Sequence, residues 1–259
     1  MYTLPEAPGS IGETLDAGFK LLAACFKHVI GWTLLMAAIL YLPIGLAGAW
    51  LVNGGEPDPG VFVLLIPGIF IGIVVYLVVY LGVVHRVGVI ATGRLEPMRA
   101  SMGVALRRTW RVVLAGLVYM LVVTIGMVLF IVPGVLFMLS MGFYMFCILL
   151  DGDGVFESLG RSHRLVWGKW WRTALIASVV MVIYMIAVSA ISIPMYMINA
   201  FVVESPALQS VISHLGEMIA TAVTAPVWVS VFVVVFHDLK LRTEGQDLEA
   251  RVEALAPSH

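Results

Sequence analysis

Charge is scarce in this chain. Of its 259 residues, 12% are Asp, Glu, Lys or Arg and 61% are hydrophobic. A soluble domain carries roughly 25% charged and about 45–50% apolar residues. The mean hydropathy of +1.03 therefore points to membrane spans rather than a soluble core. Cysteine is nearly absent as well. Cys25 and Cys147 alone make neither a disulfide framework nor a structural zinc set, which takes about four ligands. The net charge of −1, from 15 basic and 16 acidic residues, excludes a global field that would gather nucleic acid. The opening M-Y-T-L-P-E-A-P-G-S has no basic region leading into an apolar core, so no cleaved signal peptide is expected and the first span would direct insertion.

What is present are long stretches without charge. Residues 29–52 and 61–84 contain no ionised side chain and are long enough for a hydrocarbon core, which takes about 20 helical residues. N-G-G-E-P-D-P-G separates them and reads as a loop. Residues 112–150 are also free of charge. As one helix they would reach nearly 60 Å, roughly twice the core thickness. Pro133-Gly134 falls near the middle, so the run is expected to split into two spans with the outer turn at that dipeptide. Residues 173–203 and 218–236 complete an expected set of six spans. The first of these contains Pro194 and is expected to tilt or kink.

The basic residues test that count. All 15 Lys and Arg fall before span one, between spans two and three, between four and five, or after six. The opposite loops carry Glu56, Asp58 and Glu204 and no base. The positive-inside rule then makes both termini cytoplasmic.

A short amphipathic segment precedes each pair of spans: S-I-G-E-T-L-D-A-G-F-K, S-M-G-V-A-L-R-R-T-W-R and V-F-E-S-L-G-R-S-H-R. Leu15, Leu106 and Leu159 superpose, as do Lys20, Arg111 and Arg164, which points to an internal triplication. Ser10 and Glu13 fit a capping box. The expected fold is all-α: six transmembrane helices as three hairpins, each preceded by a cytoplasmic interfacial helix. Residues 1–240 would form one domain with units at about 10–90, 98–150 and 154–240, and 241–259 a polar tail.

The densest polar stretch is E-S-L-G-R-S-H-R-L-V-W-G-K-W-W-R-T over residues 157–173. At helical spacing Val155, Phe156, Leu159, His163, Val166, Trp167 and Trp170 share one face, with Glu157, Arg161 and Arg164 on another. That pattern predicts a helix lying on the membrane surface, Trp at headgroup depth and the cations toward lipid phosphate. Arg108, Arg111, Arg161, Arg164, Trp167, Lys169, Trp170 and Arg172 are the candidate headgroup residues.

The run from I-V-P-G-V through S-L-G-R-S-H-R-L-V-W-G-K-W-W-R also resembles the membrane domain fused to some bacterial glycerophosphodiester phosphodiesterases, and the related YciC-like integral membrane proteins. Pro133, Gly134, Asp151, Leu159, Arg161, Ser162, Leu165, Gly168, Trp170, Trp171 and Arg172 match that pattern, with Ser158 in place of the usual Ala. The resemblance implies a six-helix bacterial inner-membrane protein of no settled activity. The H-R-G and E-N-T motifs of the phosphodiesterase barrel are absent, so that chemistry is not carried over.

Other candidates are sparse. Asp151-Gly152-Asp153-Gly154 lacks the further acids of a calcium loop and reads as a turn, with Asp153 as a helix N-cap. Asp151, His214 and Glu217 are a candidate polar site, the latter two lying one turn apart near the outer end of span six. No metal or cofactor is expected. The reading is a non-enzymatic inner-membrane protein that binds lipid, anionic lipid in particular, or a membrane partner or second copy, in envelope homeostasis. A small-solute transporter or channel and an intramembrane lipid-modifying enzyme are the alternatives, and nucleic acid is not an expected partner.

Overall fold

Ser10 and Glu13 start the first helix as their spacing requires. Glu13 N donates to Ser10 Oγ at 3.3 Å, and Ser10 N donates to Glu13 Oε2 at 2.6 Å. Helix α1 (Ile11–Val52) follows. The computed structural model describes residues 2–55 and 59–255, with side chains described for 2–55, 66–201 and 203–245. Glu56 and Asp58, expected in an outer loop, lie outside the described residues. The remaining elements are α2 (Pro59–Ala91), α3 (Met98–Leu129), α4 (Ile131–Met141), the single turn α5 (Tyr144–Phe146) running into a π-turn at Cys147–Asp151, α6 (Val155–Val166), α7 (Trp170–Val202) and α8 (Pro206–Leu255). There is no strand among the described residues.

Among the described residues six helical stretches are long and apolar enough to cross a bilayer: Ile11–Val52, Ile66–Ala91, Met98–Leu129, Ile131–Asp151, Trp170–Phe201 and Pro206–Gly245. This is a multi-pass membrane protein. Large side chains such as Val128, Phe130, Ile131 and Phe201 stand outward, which only hydrocarbon solvent makes favourable. Pro43, Pro67, Pro194 and Pro226 lie inside helices that continue through them.

The most extensive interface joins the first and last spans, not two halves of a hairpin. A Cβ at Gly18 would meet Val231, one at Gly45 would meet His214, and one at Gly48 would meet Ser210, so α1 and α8 run antiparallel. Without a hydrophobic drive between helices in lipid, close backbone approach at small residues provides the contact. Thr33 Oγ1 donates to Ala222 O at 2.8 Å across the same seam, and Cys25 Sγ lies 3.3 Å from Ser230 Oγ. Of the six spans α8 is the most buried and α7 the least.

Four expectations are corrected. The first two amphipathic segments are not separate helices; they continue without a break into α1 and α3. Only α6 stands alone, ended by Gly168 at φ +79°. The turn in the third charge-free run is at Phe130 (φ −155°, ψ 128°), not at Pro133-Gly134. Pro133 sits in the first turn of α4, where a missing N–H loses no helical bond. Gly134 instead lets α4 cross α3, since its Cβ would come within 2.6 Å of Met127 N. The tail does not begin at residue 241: α8 continues to Leu255, and its residues up to Glu244 join the charged network below.

The face of α6 is the fourth. Ser158, Leu159, Ser162, Leu165 and Val166 are buried, while Phe156 and Trp167 are exposed. The cause is a break in span four after Met141. Phe143 N donates to Ser162 Oγ at 3.0 Å, and Ser162 Oγ donates to Ser140 O at 2.8 Å. Orphaned backbone groups cost free energy when buried, so the serines turn inward and α6 docks on the bundle.

Candidate functional site

Carboxylates from three elements meet the cations at one end of the bundle. The π-turn leaves its backbone short of partners, and Arg108 Nη1 donates to Ile148 O at 2.9 Å and Leu149 O at 2.7 Å. Arg111 Nη1 reaches Gly152 O at 3.3 Å. Gly152 itself takes φ +90°, a conformation that favours glycine. Asp151 and Asp153 beyond it both face Arg161, at 2.8 and 3.2 Å. Arg161 also pairs with Glu244 at 3.2 Å, and Lys240 with Asp151 at 2.9 Å. Asp153 is thus an ion-pair partner and not the N-cap of α6. Gly154 holds that position, its N–H donating to Glu157 Oε2 at 3.2 Å.

A second knot ties the N-terminal segment down. Asp238, 6% exposed, accepts from Arg172 at 3.2 Å, Arg242 at 2.9 Å and Gly9 N at 3.0 Å. Arg172 donates further to Gly9 O at 2.8 Å and Thr14 Oγ1 at 2.9 Å.

The structure therefore divides the residues that the sequence grouped. Arg108, Arg111, Arg161 and Arg172 turn inward to carbonyls and carboxylates, and Lys169 donates to Thr243 Oγ1 at 3.0 Å. Arg164, Trp167 and Trp170 are exposed. Asp151 is held by two cations. His214 and Glu217 do not converge: His214 packs at Gly45 of α1, whereas Glu217 accepts from Tyr196 of α7 at 3.1 Å.

Among the exposed cations of the described residues Lys20 pairs with Asp16, whereas Lys27, Arg94, Arg99, Arg107 and Arg164 form no ion pair with a described residue. Lys27 and Arg94 share a cavity of about 260 Å³ with Tyr2, His28, Ile90 and Leu95. Tyr2 Oη and His28 Nδ1 are buried without a hydrogen-bond partner. Burial, with Asp16 adding to it, pushes the Tyr2 phenol up to about 12, so it stays a neutral donor. Arg94 also borders a neighbouring cavity of about 190 Å³ with His85, Asp151 and Lys240.

Sequence reasoning missed three features here. Tyr2 belongs to the opening segment, which counted only for the lack of a signal peptide. Arg86 counted only as a topology charge, yet it is 8% exposed with Nε and Nη1 unpartnered, because α2 runs past it to Ala91. The third is a cleft of about 300 Å³ at mid-span, lined by Met36, Tyr76, Tyr80, Tyr184, Thr221 and Trp228. Its lining bears hydroxyls and aromatic rings but no ionisable acid or base other than the phenols. Among the described residues no cluster of His, Cys, Asp and Glu could hold a metal ion.

No curated protein and no solved structure matches the chain. Residues 118–239, which take in the V-P-G and G-x-W-W-R stretch, the ion-paired aspartates and most of α8, are similar to a domain of unknown function, DUF7847.

Proposed function

We propose that this chain is a non-catalytic protein of the bacterial inner membrane, both termini cytoplasmic, that binds anionic lipid at its cytoplasmic face. The likeness to the YciC-like proteins points the same way, as does a role in envelope homeostasis with a membrane partner or a second copy. One observation carries the lipid reading. Lys27, Arg94, Arg99, Arg107 and Arg164 are exposed without an ion pair to a described residue, whereas Arg108, Arg111, Arg161 and Arg172 are occupied by protein. Each cation close to an anionic leaflet contributes about 1 kcal/mol. Exposed Trp167, Trp170 and Trp171 near the start of α7 suit the headgroup layer.

The interfacial role thus moves from the buried side of α6 to these exposed cations. Replacing Arg99, Arg107 and Arg164 together by Gln is expected to lower retention of phosphatidylglycerol by the purified protein at least tenfold, read by native mass spectrometry. Retention equal to wild type, or equal affinity for phosphatidylcholine, counts against the reading.

Orientation has its own test. Cys25 and Cys147 are buried, so single introduced thiols report cleanly. Glu204→Cys is expected to react with an impermeant maleimide from the periplasmic side, and Arg99→Cys only after the membrane is opened. The reverse pattern overturns the topology. A transport reading draws support from the mid-span cleft, whose hydroxyls would suit an uncharged solute.

A further inference from the structure

Among the exposed cations Lys27 and Arg94 differ in sharing a cavity, which Tyr2 and His28 also bound. From this geometry we infer a specific site for a phosphate group, carried by a lipid headgroup or free in solution. The inference rests on the proposed binding of anionic lipid and narrows it to one place.

The donors decide the ligand class. Lys27 supplies an ammonium, and Arg94 a guanidinium whose Nε already donates to Thr92 Oγ1 at 3.3 Å, leaving its two terminal nitrogens for a ligand. Tyr2 Oη is a donor without an acceptor. His28 Nδ1, likewise buried and unpartnered, donates in the tautomer that carries its proton there. Buried polar atoms in a folded protein are nearly always paired, so both call for an acceptor, and a ligand seated between the two residues in the cavity they line would supply it. The four residues line it from the N-terminal segment, α1 and the loop after α2. A tetrahedral phosphate presents oxygens in several directions and serves such donors at once, while a planar carboxylate presents two. No acidic side chain lines the cavity. Asp16, near Tyr2, is itself paired with Lys20 at 2.7 Å.

The surroundings fit an amphiphile. Lys27 and His28 adjoin the charge-free part of span one, and Arg94 follows the end of span two, so the cavity lies at the depth of lipid headgroups. Ala24, Ile90 and Leu95 form its apolar wall, and Leu95 is 62% exposed beside it. An acyl chain would run over that leucine once the phosphate is seated.

Native mass spectrometry of the full chain in mild detergent, offered dioleoyl-phosphatidylglycerol, tests the site. The wild type is expected to keep one phosphatidylglycerol under activation that strips the others. Lys27→Gln with Arg94→Gln is expected to weaken that last lipid roughly 30-fold, since each cation is worth about fivefold. Tyr2→Phe removes one hydroxyl at the protein's margin, leaves folding intact and is expected to weaken it severalfold. Inorganic phosphate at millimolar concentration separates the sources: displacement of the lipid assigns the site to phosphate as such, and no displacement assigns it to the headgroup with its chain. A last lipid held by both variants as by wild type overturns the site. In that case a loss in the Arg99, Arg107 and Arg164 variant still upholds the broader reading, whereas no preference for phosphatidylglycerol in any protein overturns both.

Discussion

Asp238→Ala is expected to cost about 3–5 kcal/mol, the largest loss of any single change at the charged end. The carboxylate is buried and serves Arg172, Arg242 and the Gly9 amide together. Removing it leaves two guanidinium groups confronting each other, with the Gly9 carbonyl shared between them and Thr14 Oγ1 for Arg172 as the acceptors that remain. Arg172 has little in reserve: its Nε is already buried without a partner. The consequence extends beyond α8, since the same knot fastens Gly9 and, through Thr14, α1 to the start of α7. The thermal midpoint in detergent is expected to fall sharply, with the N-terminal segment becoming sensitive to protease at temperatures where the spans still hold. Asp238→Asn keeps one acceptor and the shape, and is expected to lose less. If Asp238→Ala costs under about 1 kcal/mol, the knot is screened by water like a surface pair.

Gly134→Ala is expected to destabilise the α3–α4 crossing by about 1–3 kcal/mol, an overpacking cost. A methyl there would stand 2.6 Å from Met127 N and 2.7 Å from Met127 Cα, and backbone cannot rotate aside. Gly126 faces the same contact, its Cβ falling 3.0 Å from Gly134 Cα. The two helices meet glycine to glycine one turn either side of Phe130, so a side chain must push them apart. Gly160→Ala is the control. Nothing lies within 4 Å of a Cβ at that position in α6, and trading glycine for alanine inside a helix gains about 0.5–1 kcal/mol. Opposite signs for the two substitutions, read as shifts in thermal midpoint, are the expected result. A gain at Gly134 would show that α3 and α4 do not cross there.

The helix count was readable because a bilayer imposes a local rule: about 20 residues without charge must be helical wherever they occur. The capping box at Ser10 was readable for the same reason, its donors and acceptors lying three residues apart. Pro133 shows where local reading misleads, since a proline ends one helix or begins another and the residues around it do not say which. Only the break at Phe130 and the contact of Gly134 with Met127 resolved that. The roles of Arg161 and Arg172 were beyond the sequence altogether. Their composition and spacing suited a lipid-facing stretch, but Arg161 meets Glu244 across 83 residues and Arg172 meets Asp238 across 66. Likewise Tyr2, Lys27 and Arg94 come together only because α1 and α2 pack side by side under the N-terminal segment. Which side chains cross the bilayer is settled by each segment's own transfer from water. Which cations remain free for a ligand depends on the helix ends that packing brings within reach of one another.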